Sequence, residues 1–208
     1  MPKYITEFIG TFFLMFTVAA AAVGGWAPLG FAPLAIGSVL MVMIFAGGHI
    51  SGGHYNPAVS MAVFVRGKMS ATEMIIYWVV QIAAGVVAAL LASSLLGIAA
   101  ASPIPFDMTK VVIAEFLFTF ALTFVVLNVA TAKGTEGNSF YGLAIGFTVL
   151  AGAYAVGSVS GGVFNPAVGT GITLLGLLSW TNLGIYAVTQ LVAGAVAGVI
   201  FRVSHPGE

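Results

Sequence analysis

The sequence contains no cysteine and very few charged residues. Charged side chains occupy 6% of its 208 positions, and the formal net charge is zero. The absence of cysteine excludes disulfides, thiol catalysis and cysteine-based metal sites, and it leaves the redox compartment open. Soluble domains carry about 25% charged residues, so this chain lacks the charge to cover a surface that faces water. The few basic residues are scattered, which is not the footprint of a nucleic-acid-binding protein.

Apolar residues fill the chain instead, at 60% of positions with a mean hydropathy of +1.12. A helix that crosses a bilayer needs about 20 predominantly apolar residues. Runs of this kind predict six spanning helices, at residues 4–24, 31–50, 72–97, 108–131, 140–158 and 182–203. The breaks between them are short, at 24–33, 66–71, 101–106, 133–139 and 175–182. Alternation typical of a membrane barrel is missing, so we predict an all-α membrane protein.

The basic residues predict how the helices are oriented. If the N-terminus is inside, the residues on the cytoplasmic side are Lys3, Arg66, Lys68, Lys133 and Arg202. Only Lys110 then lies outside, so the positive-inside rule predicts that both termini are cytoplasmic. The first apolar run also has features of a secretory signal peptide. Its full-length counterpart in the second half of the chain argues against that interpretation.

The two halves of the chain repeat one another at an almost constant offset. EFIGTF at 7–12 matches EFLFTF at 115–120, SGGHYNPAV at 51–59 matches SGGVFNPAV at 160–168, and QIAAG at 81–85 matches QLVAG at 190–194. We therefore predict one domain, 1–208, built from repeats at 1–100 and 107–208. Each repeat holds three spanning helices, an odd number, so the second enters the membrane from the opposite side. In such inverted repeats the functional site lies near the midplane, where the repeats meet.

The Asn-Pro pair in each repeated passage predicts the start of a helix. Asn is a favoured N-cap, and Pro fits the first helical position. We expect half-helices from Pro57 to about Phe64 and from Pro166 to about Leu174. Nine residues span roughly 14 Å, half of the bilayer core, so the two N-termini would meet at its centre. The preceding glycines would let the chain re-enter the membrane in extended form, with φ values that other residues resist.

This arrangement has a chemical consequence for the centre of the membrane. Unpaired carbonyls are tolerated at that depth only where they line a water-filled path. We expect such acceptors from Gly52, Gly53, His54, Gly161, Gly162 and Val163. Each Asn oxygen would cap its own half-helix, leaving the amide NH₂ to face the lumen. Two positive helix ends would hold water by its oxygen and repel protons and cations, which favours neutral solutes.

These features together resemble the aquaporin, or major intrinsic protein, family over essentially the whole chain. The resemblance rests on the paired NPA boxes, the SGG before each, and a glutamate in the first helix of each repeat. It implies a right-handed bundle of six spanning helices with two re-entrant half-helices, and a homotetramer with one pore per protomer in the lipid bilayer. It also implies that Glu7 and Glu115 brace the re-entrant loops. The implied pore residues of the NPA boxes are Asn56, Pro57, Ala58, Asn165, Pro166 and Ala167.

The resemblance also locates the family's narrowest constriction, and here this chain departs from its relatives. The four positions are Ile36, Ala153, Gly162 and Val168. Strict water channels usually have an aromatic residue, a His, a small residue and an Arg there. Here all four are apolar or small, so we expect a wider pore, the loss of one barrier to cations, and a better fit for partly apolar solutes. Gly169 stands where the glycerol-conducting branch usually has Asp, which weakens assignment to that branch.

The remaining polar and small residues have structural interpretations. We expect His54 to anchor its loop and line the pore, because no second ligand lies at a spacing that suits a metal. Gln81 and Gln190 are expected to hydrogen-bond between helices. The pairs Gly142/Gly146 and Gly194/Gly198 predict close helix packing.

The sequence thus predicts a passive channel of the cell membrane for water and small neutral solutes, such as glycerol, urea, ammonia, peroxide or undissociated metalloid acids. Two alternatives stay open: a solute-selective facilitator that conducts water poorly, and a channel that leaks cations. A proton-coupled transporter would need a titratable relay, for which only Glu7 and Glu115 are candidates. An enzyme is not expected, because no nucleophile–base pair or metal site can be assembled, and no cofactor is implied.

Overall fold

The computed structural model describes residues 1–98, 103 and 106–208, and this part of the chain is helical without any strand. A π-helical turn, Ala19–Val23, extends the first helix, and a 3₁₀ turn, Lys133–Thr135, precedes the sixth. The α-helices are α1 (Pro2–Val18), α2 (Ala32–Ser51), α3 (Pro57–Arg66), α4 (Ala71–Leu96), α5 (Met108–Ala130), α6 (Tyr141–Ser160), α7 (Pro166–Leu174) and α8 (Trp180–Ser204).

Six of these helices are long and apolar enough to cross a membrane, namely α1 with its π-turn, α2, α4, α5, α6 and α8. They confirm the six predicted runs, and each boundary lies within two residues of the predicted one. The short helix α7 has the predicted bounds, whereas α3 continues two residues past Phe64 and stops at Gly67, whose φ of 91° only glycine adopts readily. Most of the predicted break at 101–106, and the predicted end of the first repeat at residue 100, lie outside the described residues.

The helices of the two halves pack in the same pattern. In the first half α1 packs against α2 and α4, and in the second α5 packs against α6 and α8. Each short helix packs mainly against a long helix of the other half, α3 against α8 and α7 against α4, and also contacts one of its own half, α4 for α3 and α8 for α7. The helices α2 and α6 pack against one another. The short helices are therefore enclosed by long helices from both halves.

Both chain termini lie on one side of the bundle, which we call the terminal face; the opposite side is the distal face. At the terminal face Lys3 pairs with Glu73, and Arg66 at the end of α3 donates to Glu208 at 3.1 Å. At the distal face Lys110 pairs with Asp107 at the start of α5. The side of the membrane to which the terminal face belongs stays a prediction.

Glycines let the helices approach one another closely. A Cβ on Gly146 would lie 2.5 Å from the carbonyl oxygen of Gly37, and a Cβ on Gly142 would lie 3.0 Å from that of Met41. At the other predicted pair, a Cβ on Gly194 would collide with the carbonyl of a short helix, and one on Gly198 would meet a valine at 2.7 Å. The predicted close packing at Gly142/Gly146 and Gly194/Gly198 is therefore confirmed, because a larger residue at any of the four would force a neighbouring atom to move.

Candidate functional site

The two Asn-Pro pairs begin the short helices α3 and α7. The side-chain oxygen of Asn56 accepts a hydrogen bond from Ala58 N at 2.9 Å, and that of Asn165 accepts one from Ala167 N at 2.9 Å. Both asparagines have extended backbone, with φ of −158° and −154°, as N-caps do. Both are buried, each with 4% exposure. The short helices therefore begin where the sequence predicts.

The amide nitrogens of the same asparagines tie the two halves together. Asn56 Nδ2 donates to the carbonyl of Phe164, and Asn165 Nδ2 donates to the carbonyl of Tyr55, each at 2.9 Å. The expectation that the whole NH₂ group faces the lumen is thus corrected. Since an amide NH₂ carries two N–H donors, each asparagine keeps one for another acceptor.

The residue before each asparagine has an unusual backbone. Tyr55 and Phe164 both have φ of 48°, the left-handed region that residues with a side chain seldom occupy. This conformation turns each carbonyl toward the opposite asparagine while the N–H of the same residue points to a buried glutamate. Two side-chain-bearing residues are therefore held in a strained region by partners on both sides.

The glycines that precede these turns are left-handed as well. Gly52 and Gly161 have φ of 88° and 83° and terminate α2 and α6. Gly53 and Gly162 follow with φ of 62° and 63°. The predicted φ values that other residues resist are therefore confirmed at these four positions, whereas the predicted extended form is wrong there. A residue with a Cβ would be strained at each of them, which explains why both copies carry Gly-Gly.

Glu7 on α1 is fully buried beside the first passage. One carboxylate oxygen accepts from Ser51 Oγ at 2.7 Å and from His54 N at 2.9 Å. The other accepts from Tyr55 N at 2.7 Å and from Gln81 Nε2 at 2.8 Å. Four donors on one carboxylate satisfy a buried charge and join α1, α4 and the loop before α3.

Glu115 on α5 makes the equivalent set of contacts with the second passage. Its oxygens accept from Ser160 Oγ at 2.7 Å, Val163 N at 3.0 Å, Phe164 N at 2.8 Å and Gln190 Nε2 at 2.8 Å. It is also fully buried. The bonds from the two glutamines join α4 to α1 and α8 to α5, which confirms their predicted interhelical role.

Sequence reasoning missed two further pairs of residues in this network. Tyr77 donates its hydroxyl to the carbonyl of Ser51, and Tyr186 donates to that of Ser160, both at 2.7 Å. The same serines donate to the glutamates. The signal that would have found them is the offset of 109 positions, since Ser and Tyr recur at it as Asn and Gln do.

His54 makes contacts in the first half that have no counterpart in the second. Its Nδ1 lies 3.0 Å from Ser60 Oγ, and its ring packs edge-on against Tyr77 at 5.1 Å between centroids. The matching positions in the second half are Val163 and Gly169, which have no polar side chain. Among the residues that the structure describes, no three His, Asp or Glu side chains lie together as a metal site would need.

A cavity of about 320 Å³ extends from the distal ends of α2 and α6 past the two asparagines. All four predicted constriction positions border it, and so do Asn56, Asn165, His54, Gly161, Gly162 and Val163. Gly52 borders a second cavity at the terminal face, and Gly53 borders neither of these two. The other residues that line the first cavity, called the central cavity below, are almost all aliphatic, for example Leu14, Val18, Leu40, Val126 and Ile172.

Comparison with known proteins places these features in a family. The model of the family described as "Major intrinsic protein" matches residues 1–201. A probable aquaporin TIP2-2 of Oryza sativa subsp. japonica is 33% identical over 97% of this chain and 86% of its own length. Aquaporin NIP1-3 from the same plant is 35% identical over 94% of this chain and 71% of its own. Aquaporin TIP1-1 of Arabidopsis thaliana is 33% identical, with 96% and 85% covered.

A solved structure shows the same fold. The X-ray structure of the aquaglyceroporin from Plasmodium falciparum superposes with a TM-score of 0.79 at 23% identity, covering 96% of this chain and 93% of that one. The six apolar helices and these matches together identify an integral, multi-pass membrane protein with the aquaporin fold. The chain belongs to the major intrinsic protein family, the aquaporin channels for water and small solutes, and it is a channel rather than an enzyme.

Proposed function

We propose that this protein conducts water together with small neutral solutes such as glycerol, urea, ammonia, peroxide or undissociated metalloid acids, passively and through one pore per protomer. The observation that carries the proposal is the cavity of about 320 Å³ that Asn56 and Asn165 border from opposite halves. A site needs only about 10–15 Å³ to hold one water. The space is therefore ample for a short file of waters or for a solute larger than water.

Ions are excluded, in this proposal, at the two NPA boxes. The N-termini of α3 and α7 carry partial positive charge and point toward the same region, where each asparagine has one N–H left to donate. A water there is held by its oxygen, and its hydrogens turn toward carbonyl acceptors on either side. The proposed acceptors are the carbonyls of Gly52, Gly53, His54, Gly161 and Val163. The positive field repels protons and cations but not neutral solutes.

The predicted constriction at Ile36, Ala153, Gly162 and Val168 is proposed to admit solutes larger than water. Its side chains carry no charge and no hydrogen-bonding group. A water that passes it loses hydrogen bonds without replacement, whereas a partly apolar solute loses less. Hydrogen bonding contributes little to selection there, so the size of a solute and the fit of its apolar surface determine whether it passes.

We further propose a homotetramer in the cell membrane, with both termini cytoplasmic, built from inverted repeats at 1–100 and 107–208. The cytoplasmic assignment is supported by the basic residues Lys3, Arg66 and Lys133, which contact partners at the terminal face. The role proposed for Glu7 and Glu115 is to hold the re-entrant loops in place rather than to carry protons. Four hydrogen bonds onto each carboxylate support that role.

A second candidate is a solute-selective facilitator that conducts water poorly. The aliphatic wall of the central cavity favours it, because each water in such a pore has few protein partners. A cation leak is the weaker alternative, and it is favoured by Val168, which leaves the constriction without a fixed positive charge.

Stopped-flow light scattering of proteoliposomes tests these functions. We expect osmotic water flow and glycerol or urea entry both to exceed those of empty liposomes of the same size. Solute entry equal to that of empty liposomes would overturn conduction of solutes. Solute entry without added water flow would favour the facilitator, and cation currents in planar bilayers would establish a leak.

A further inference from the structure

We infer that Ile44 forms a second constriction on the terminal side of the pore and sets the largest solute that crosses. The inference rests on the proposed channel function. Ile44 is not one of the four positions of the distal constriction. Its role is supported by the repeat, by the packing around Gly53, and by the residues at which the lining changes from one cavity to the other.

The repeat supplies each distal position with a counterpart 109 residues away. The pairs are Ile36 and Ile145, Ile44 and Ala153, Gly53 and Gly162, and Val59 and Val168. Three of the four pairs are identical. The exception is Ile44, which has three more carbon atoms than Ala153. If the halves are related by inversion, Ile145, Ile44, Gly53 and Val59 form a terminal set that copies the four positions of the distal constriction. This terminal set is narrower than the distal one only at Ile44.

The packing around the glycines agrees with this correspondence. A Cβ built on Gly162 would lie 3.2 Å from Cα and 3.6 Å from Cβ of Ala153. A Cβ built on Gly53 would lie 3.6 Å from both Cα and Cγ1 of Ile44. Each glycine therefore faces the matching position of the long helix before its own short helix. At the terminal side that position carries a full isoleucine side chain.

The α2 residues that line the central cavity end one turn before this residue. On α6 four residues spaced one turn apart all border it, Ile145, Val149, Ala153 and Gly157. On α2 the matching row begins with Ile36 and Leu40, which also border it. Ile44 follows with only 1% exposure, and Gly48, one turn further, borders the second cavity.

In α5 and in the loop before α3, the residues also switch from bordering the central cavity to bordering the second one at this level of the bundle. On α5 Val126 borders the central cavity, and Val129 borders the second. In the loop His54 borders the central cavity, and Gly52 borders the second. Ile44 itself borders neither cavity, and its buried side chain lies at the level where the lining changes from the central cavity to the second one.

An isoleucine in this position acts by size and by its lack of polar atoms. It offers no hydrogen bond to a passing molecule, and a hydrophobic constriction of this kind resists wetting. A solute larger than water must displace the side chain, whereas the matching position of the distal constriction presents only the methyl group of Ala153. The distal constriction is therefore expected to be permissive and the terminal one to discriminate.

Two substitutions swap the residues of the one pair that differs, Ile44 and Ala153. I44A should raise glycerol entry into proteoliposomes several-fold and raise water flow less, because the larger solute gains more from the added width. A153I should lower glycerol entry several-fold, because it adds the same obstacle at the distal side. I44V, which removes one carbon, should fall between wild type and I44A and serves if I44A does not fold.

The outcomes separate this inference from the channel function itself. If wild type conducts and neither I44A nor I44V changes the ratio of glycerol to water flow, Ile44 is not the discriminating residue. If wild type conducts nothing and I44A conducts water, Ile44 blocks the pore; the constriction stands, and conduction by the wild-type protein is overturned. Absence of flow in both proteins would overturn the channel function and the inference together.

Discussion

Asn56 donates a side-chain N–H to the carbonyl of Phe164 at 2.9 Å, although 108 residues separate them. Asn165 makes the reciprocal bond to Tyr55. Each asparagine therefore caps its own short helix with its oxygen and holds the opposite loop with its nitrogen. The tips of α3 and α7 are joined by this exchange as well as by packing.

Replacing either asparagine should weaken the fold to a similar extent. N56A and N165A each remove a helix cap and leave a buried carbonyl without its donor, so we expect the free energy of unfolding to fall by roughly 2–4 kcal/mol. Denaturant titration of the purified proteins in detergent measures this loss. A much larger loss at one asparagine would show that the two bonds are not equivalent.

The buried glutamates should be equally sensitive to loss of charge. In E7Q and E115Q one carboxylate oxygen becomes an NH₂ group that faces two donors, so the free energy of unfolding should fall by roughly 2–4 kcal/mol in each. The exposed Glu136 gives the control E136Q, which should unfold like wild type. Equal stability of E7Q and E136Q would contradict a charged, fully hydrogen-bonded Glu7.

An arginine at Val168 should restore polar selection at the distal constriction. V168R narrows the pore and adds a fixed positive charge, so solute entry should fall several-fold while water flow falls less. The ratio of the two rates in stopped-flow measurements reports the effect. Equal losses of water and solute flow would place the constriction elsewhere.

Close contacts between the long and short helices leave no room for a methyl group. A Cβ on Gly85 would lie 2.6 Å from the carbonyl oxygen of Ala167, so G85A should cost about 1–3 kcal/mol of stability through overpacking. A Cβ on Gly184, also within a helix, meets no atom of the described residues within 4 Å. G184A should therefore be neutral or stabilising by up to about 1 kcal/mol, and thermal unfolding compares the two. Equal melting temperatures for both variants would refute the contact.

At the terminal face, Glu208 should restrain the loop between α5 and α6. It accepts from the buried guanidinium of Arg66 at 3.1 Å and from Lys133 N at 3.0 Å. E208Q weakens both bonds, so trypsin should cleave after Lys133 several-fold faster than in wild type. The E136Q variant, altered in the same loop, is the control. Unchanged cleavage in E208Q would show that the loop is held by other contacts.

Local patterns were sufficient for much of the fold. The length of an apolar run predicts a spanning helix, and Asn before Pro predicts a helix start, because both depend on residues a few positions apart. Repetition at an almost constant offset then indicates that Glu7, Gln81 and Asn56 belong to the site. The left-handed Tyr55 was not predictable in this way, because its conformation is held by partners at positions 7 and 165.

The sequence alone therefore determined the class of protein, its six spans, its two short helices and the residues at their tips. The tertiary structure decided which of these groups meet. It assigned each asparagine a partner in the opposite half, paired Arg66 with Glu208, and buried Ile44 at the level where the lining changes from the central cavity to the second one. These contacts join residues that are distant in the chain, and they depend on how the helices pack, which hydrophobic periodicity and capping do not specify.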